Sequence, residues 1–198
     1  MNHIVERVYL DDEELKPQTI AHHLARYEFA RKIRKVRRGD VSLDIACGSG
    51  YGTDMLRQEG YKSVGVDIDR NAISYAKDHF PLNKFIVCDI AEYGQKYCFD
   101  LAVMFEAIEH LKYTEGLRVL EAVQENLSSA GGVFILSTPR DIKGKYNELH
   151  KSQWDYTVLK NTLGSIFSDV KIYGQDWDTA IISEANVIEN DFYITVCK

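Results

Sequence analysis

The chain holds 198 residues with 24 basic against 30 acidic side chains, a formal net charge of −6. That length fits one core, and the acidic balance disfavours the concentrated basic surface that extended nucleic-acid binding needs. Hydrophobic residues at 45% and charged residues at 27% are globular values, and no apolar run approaches the ~20 residues of a membrane-spanning helix.

The opening stretch, MNHIVERVYLDDEELK, is acidic and has no apolar centre of signal-peptide type, so a cytoplasmic location without membrane insertion is expected. A helix is predicted from about Ile20 to Arg38, making residues 1–40 an N-terminal helical cap. Its basic run RKIRKVRR interleaves Ile33 and Val36 at a spacing of three, as on a helix lying against a core with its charged face in water. RNA contact along that run stays open as the alternative.

From Val41 short apolar runs alternate with helix-like segments: VSLDIA, YGTDMLRQEG, SVGVD, NAISYAKDHF, KFIVCD and FDLAVMF. A helical stretch from Tyr113 to Leu127, the strand GGVFILS, a helix near Tyr156 to Phe167, and the strands SDVKIY and DFYITVCK follow. Such alternation implies right-handed crossovers and a parallel sheet, hence a doubly wound α/β fold over residues 41–198 and one continuous domain over 1–198. The last two strands are joined without a clear crossover helix, so they are expected to pair as an antiparallel hairpin closing the sheet edge. Cys47, Cys88, Cys98 and Cys197 lack zinc-site or disulfide spacing and read as reduced, buried thiols.

In LDIACGSGYG a strand ends near Asp44 to Ala46 and a helix begins after Gly50, which sets Gly48 and Gly50 in a tight turn where backbone meets ligand. Asp67 ends the next strand, beside Ile68, where a carboxylate can accept from two ribose hydroxyls. Asp89 ends the third, followed by Ile90, giving an acceptor and an apolar wall for an adenine. Each Asp alone could be a helix cap, but three strand-end carboxylates line the one rim where open parallel sheets bind ligands. A dinucleotide loop would need a third glycine where Thr53 stands, so a cofactor without pyrophosphate is favoured, S-adenosylmethionine over NAD.

The segment FEAIEHL places Glu106, Glu109 and His110 at i, i+3 and i+4, one face if a helical turn begins there. With His150, on a loop returning to the same rim, they could hold a divalent metal such as Mg that lowers an acceptor hydroxyl's pKa. The alternatives are a catalytic pair in which His110 is a metal-free general base beside Glu109, or a capping role. Glu106 could equally belong to the methionine end of the cofactor.

Taken in order, LDIACGSGYGT, VGVDID, VCDI, FDLAVMFEAIEHL and GGVFILSTPR resemble the motifs of class I S-adenosylmethionine-dependent methyltransferases over residues 22–140. The resemblance implies a mostly parallel seven-stranded sheet with an antiparallel C-terminal strand, and a cofactor site at Asp44, Ala46, Gly48, Gly50, Asp67, Ile68, Asp89, Ile90 and Glu106. Only the first glycine of the fullest loop pattern is replaced, by Ala46. ExxEH with a distant histidine is similar to quinone-biosynthesis and small-RNA O-methyltransferases, where such positions hold a metal. HHLARYEFARKI, STPRD and NELHKSQW resemble bacterial polysaccharide and sugar methyltransferases, which usually read NPxH where this chain has Asn147-Glu148-Leu149-His150. Under that likeness the acceptor is a small-molecule or glycan hydroxyl. His23, Arg26 and Tyr27 are then either a lid over the cofactor or ordinary helix surface, with surface slightly preferred. A binding module that has lost its chemistry is the non-enzymatic alternative.

Overall fold

The computed structural model describes residues 8–10, 12, 16–92, 99–140 and 148–198. The elements run α1 (Pro17–Ile33), β1 (Val41–Ile45), α2 (Tyr51–Gln58), β2 (Lys62–Asp67), α3 (Arg70–His79), β3 (Lys84–Val87) and β4 (Leu101–Phe105). They continue with α4 (Tyr113–Asn126), β5 (Val133–Pro139), α5 (Tyr156–Ile166), β6 (Val170–Gln175), β7 (Ile182–Ser183) and β8 (Phe192–Cys197). The strands form one sheet in the order β3-β2-β1-β4-β5-β8-β6-β7. The first five pair in parallel, and β8 runs antiparallel to both β5 and β6.

Alternating side chains of the central strands supply two faces. Ala102 and Met104 of β4 join Val119, Leu120 and Val123 of α4 and Leu159 and Leu163 of α5 in one cluster. Leu101, Val103 and Phe105 join Tyr27 and Ala30 of α1 and Leu56 of α2 in the other. A parallel sheet covered on both faces needs this period-2 division of wholly apolar strands.

Three expectations are refined. The sheet has eight strands rather than seven, because the two-residue β7 adds to the edge. The last strand is interior: Tyr193 through Cys197 are buried between β5 and β6, so the antiparallel pair forms but does not end the sheet. Helix α1 begins at Pro17, whose fixed φ suits the first turn, and stops at Ile33 instead of Arg38. Arg34 leaves helical dihedrals (φ −131, ψ 116), and its guanidinium pairs with both Asp40 and Asp100. Arg31 likewise pairs with Glu28 and Glu59, so Arg31 and Arg34 of the basic run are neutralised within the fold. Among the described residues no helix is long and apolar enough to cross a membrane. Cys47 and Cys197 are buried free thiols and Cys88 is half-buried; Cys98 lies outside the described residues.

Candidate active site

The loop from β1 to α2 is held from below. Asp44 is 1% exposed and accepts the hydroxyls of Thr53 (2.7 Å) and Tyr27 (3.1 Å). Burial pushes its carboxyl up to about 7, and the Asp67 charge adds to that while the Thr53 and Tyr27 bonds oppose it. The chain then passes through left-handed dihedrals at Ala46 (φ 56), Gly48 (φ 53) and Gly50 (φ 87). At Ala46 that conformation is strained, costing about 1–2 kcal/mol for a residue with a Cβ. A side chain on Gly50 would meet Ala76 Cβ at 2.7 Å and Phe85 at 2.8 Å, so this glycine lets the loop settle on α3 and β3.

Asp67 ties the second loop to the first: its carboxylate accepts Gly48 N–H at 3.0 Å and Asp69 N–H at 2.9 Å. Asp89 is exposed and accepts Ala91 N–H at 3.0 Å, turning the chain after β3. Ala46, Gly48, Asp67, Ile68, Asp89, Ile90 and Glu106 all line one cavity of about 1010 Å³. Asp44 and Gly50 are not among the residues that line it, and shape the loop that does.

At the end of β4 the expected shared face does not form. Glu106 adopts a left-handed φ of 49, and a short 3-10 turn follows over Ile108–His110. The reversal turns Glu106 toward Ser137, whose Oγ donates to it at 2.7 Å, and toward Arg26, 3.5 Å away. Glu109, His110 and His150 do come together, each offering a ligand atom within 4.8 Å of the others. Glu109 is 2% exposed; burial first, then the Glu106 charge, raises its pKa, and it accepts the Thr138 hydroxyl at 3.1 Å. His110 Nδ1 lies 3.1 Å from the Leu149 carbonyl. A carbonyl only accepts, so Nδ1 carries the proton and, in the neutral ring, Nε2 the lone pair.

The helix α1 forms the roof, and the ordinary-surface reading of its polar residues is overturned. His22 and Arg26 are each 1% exposed and Tyr27 is 5%. With His23 all of them line the cavity. Burial and the neighbouring Arg26 push the His23 imidazole down to about 3, and its Nδ1 meets Tyr51 OH at 3.0 Å. Gln175, Trp177 and Phe192, unremarked in the sequence, fix this roof. Arg26 Nε donates to Gln175 Oε1 at 2.8 Å, and its guanidinium lies over the Phe192 ring at 4.6 Å. His22 stacks on Trp177 with centroids 4.5 Å apart.

Comparison with known proteins gives a consistent result. Residues 19–175 match the family described as Methyltransferase domain. A probable S-adenosylmethionine-dependent methyltransferase of Mycolicibacterium smegmatis is 30% identical over 101 residues, 50% of this chain and 38% of that protein. The mitochondrial ubiquinone biosynthesis O-methyltransferase of Candida albicans is 26% identical over 138 residues, 65% of this chain and 42% of that protein. The chain thus spans less than half the length of either relative. The crystal structure of N-methyltransferase NodS from Bradyrhizobium japonicum WM9, solved with S-adenosyl-L-homocysteine, superposes with a TM-score of 0.71 at 17% identity. That match covers 93% of this chain and 88% of NodS, and it speaks to the fold.

Proposed function

The chain belongs to the methyltransferase domain family, and from that membership we propose that it transfers a methyl group from S-adenosylmethionine to a hydroxyl of a small molecule, a sugar or glycan precursor. One observation carries the reading. A single cavity joins the Ala46–Gly48 loop, Asp67 and Asp89 at one end to Glu109, His110 and His150 at the other.

The donor, when bound, supplies a sulfonium whose methyl carbon is already electrophilic, so catalysis is chiefly alignment. Asp67, on the cavity wall, would accept ribose hydroxyls, and Ile68 and Ile90 would flank the adenine. Glu106 faces the methionine end. His110 Nε2 takes the proton of the attacking hydroxyl, its ring held by Leu149. Glu109, whose carboxyl burial holds above the usual carboxylate range, accepts the Thr138 hydroxyl within the turn that carries His110.

A second reading rests on the cluster itself. The grouped Glu109, His110 and His150 offer one carboxylate and two imidazoles to a divalent cation, a nitrogen-rich set closer to the preference of zinc or iron than of the expected Mg. A cation there would lower the pKa of the acceptor hydroxyl.

Transfer of label from S-[methyl-³H]adenosylmethionine to a panel of sugars and nucleotide sugars tests the proposal. Label recovered as an O-methyl ether supports it; label found only on nitrogen or carboxylate acceptors overturns the hydroxyl assignment. Full turnover after exhaustive chelation removes the metal reading.

A further inference from the structure

We infer that His22 and Arg26 of the roof together hold a second hydroxyl of the acceptor, apart from the one that reacts at His110. The inference rests on the methyl-transfer reading of the cavity and narrows its acceptor to a ring bearing at least two hydroxyls.

His22 Nε2 lies 2.7 Å from the Trp177 carbonyl oxygen. That oxygen cannot donate, so Nε2 carries the proton and, in the neutral ring, Nδ1 presents a bare lone pair. This Nδ1 is buried without a hydrogen-bond partner, and so is Arg26 Nη1. Arg26 Nη1 stands at ion-pair distance from Glu106, 3.5 Å, with an N–H still unused. The unpartnered His22 Nδ1 would cost ~1–3 kcal/mol if nothing ever met it. Both residues line the cavity, and at i and i+4 on α1 they share one face of the helix.

The pair is one acceptor and one donor. A carboxylate could use only Arg26 and would repel the His22 lone pair, and an ammonium could use only His22. A hydroxyl donates to Nδ1 and accepts from Nη1 at once. The surroundings agree: Trp177 and Phe192, stacked with centroids 5.9 Å apart, also line the cavity and offer an aromatic shelf to the apolar face of a ring. The elements that seat the pair are β6 and β8, through Gln175 and Phe192. They lie on the side of β4 away from the loops after β1, β2 and β3, so the subsite falls to the acceptor rather than the nucleoside.

Nitrogen-15 NMR of the histidine rings in the S-adenosylhomocysteine complex tests this on the unmodified chain. The expected spectrum shows His22 neutral with Nδ1 unprotonated, and methyl α-D-glucopyranoside or myo-inositol moves that Nδ1 signal while tetrahydropyran does not. His22→Phe, which keeps the stack, should weaken glucoside binding about ten-fold, as should Arg26→Lys to a smaller extent. An Nδ1-protonated His22, a signal that neither hydroxylated probe moves, or a shift given by acetate alone overturns the inference. Failure of S-adenosylhomocysteine itself to bind would instead sink the methyl-transfer reading beneath it.

Discussion

Thr53 donates its hydroxyl to Asp44 at 2.7 Å, across the loop from β1 to α2. This bond explains why a threonine stands where a dinucleotide loop would carry a glycine. The residue is fully buried and braces the loop from below instead of admitting a pyrophosphate from above. Thr53→Val keeps the shape and removes the donor, leaving Asp44 with Tyr27 as its remaining hydroxyl partner. A loss of ~1–3 kcal/mol is expected from urea unfolding, with weaker S-adenosylmethionine binding; Thr53→Ser should lie near the parent. Equal stability of the valine variant would contradict the bracing role.

Asp44 also imposes a pH dependence. Burial, with Asp67 adding, raises its carboxyl from 3.8 to about 7 in the fold, so the native state holds this proton more tightly than the unfolded chain. The stabilisation is fully present below the unfolded value and is lost as pH rises through the folded one. The stability difference between the parent and Asp44→Asn should therefore shrink between about pH 4 and 7. Comparing the two chains cancels His23, lowered to about 3, whose contribution runs the other way. Parallel urea midpoints across that window would rule out the assignment.

The docking of α1 depends on the absence of a side chain at Gly52, where a Cβ would fall 1.9 Å from Tyr27 Cζ. Gly52→Ala should cost ~1–3 kcal/mol or more through overpacking, with the melting temperature falling by about 2–4 °C for each kcal/mol. Tyr27→Phe in the same background should not restore it, because the ring itself is in the way.

His110→Ala should lower kcat by about 10²–10⁴-fold, the usual worth of a positioned general base, with S-adenosylmethionine affinity unchanged. Parallel loss of affinity would mean that the turn after β4 serves the donor rather than the acceptor.

The strands of this fold were legible because wholly apolar runs such as LAVMF and VFILS must be buried on both faces, and Gly48, Gly50, Asp67 and Asp89 were legible as loop punctuation after them. The roof was not. His22 and Arg26 are buried through hydrogen bonds and stacking to residues some 150 positions away, at Gln175 and Trp177, while Tyr27 is buried against Asp44, Tyr51 and Phe105; a polar helix face reads as solvated when its partners lie that far off in sequence. The end of α1 was misplaced for a related reason: Arg34 continues the helical pattern but is drawn out of it by Asp40 and Asp100. Helical spacing likewise grouped Glu106 with Glu109 and His110, whereas a left-handed φ at Glu106 breaks the register and takes it out of the group, leaving Glu109 and His110 beside His150, which was expected at this rim.

Calorimetric titration of the chain with S-adenosylmethionine and, separately, with NAD tests the central claim most directly, with Asp67→Ala as the internal control. Saturable binding of S-adenosylmethionine, none of NAD, and a loss of about 10²-fold in the variant, as expected from charged hydrogen bonds worth about 1.5–3 kcal/mol each, is the predicted result. Saturable NAD binding without S-adenosylmethionine binding would contradict it.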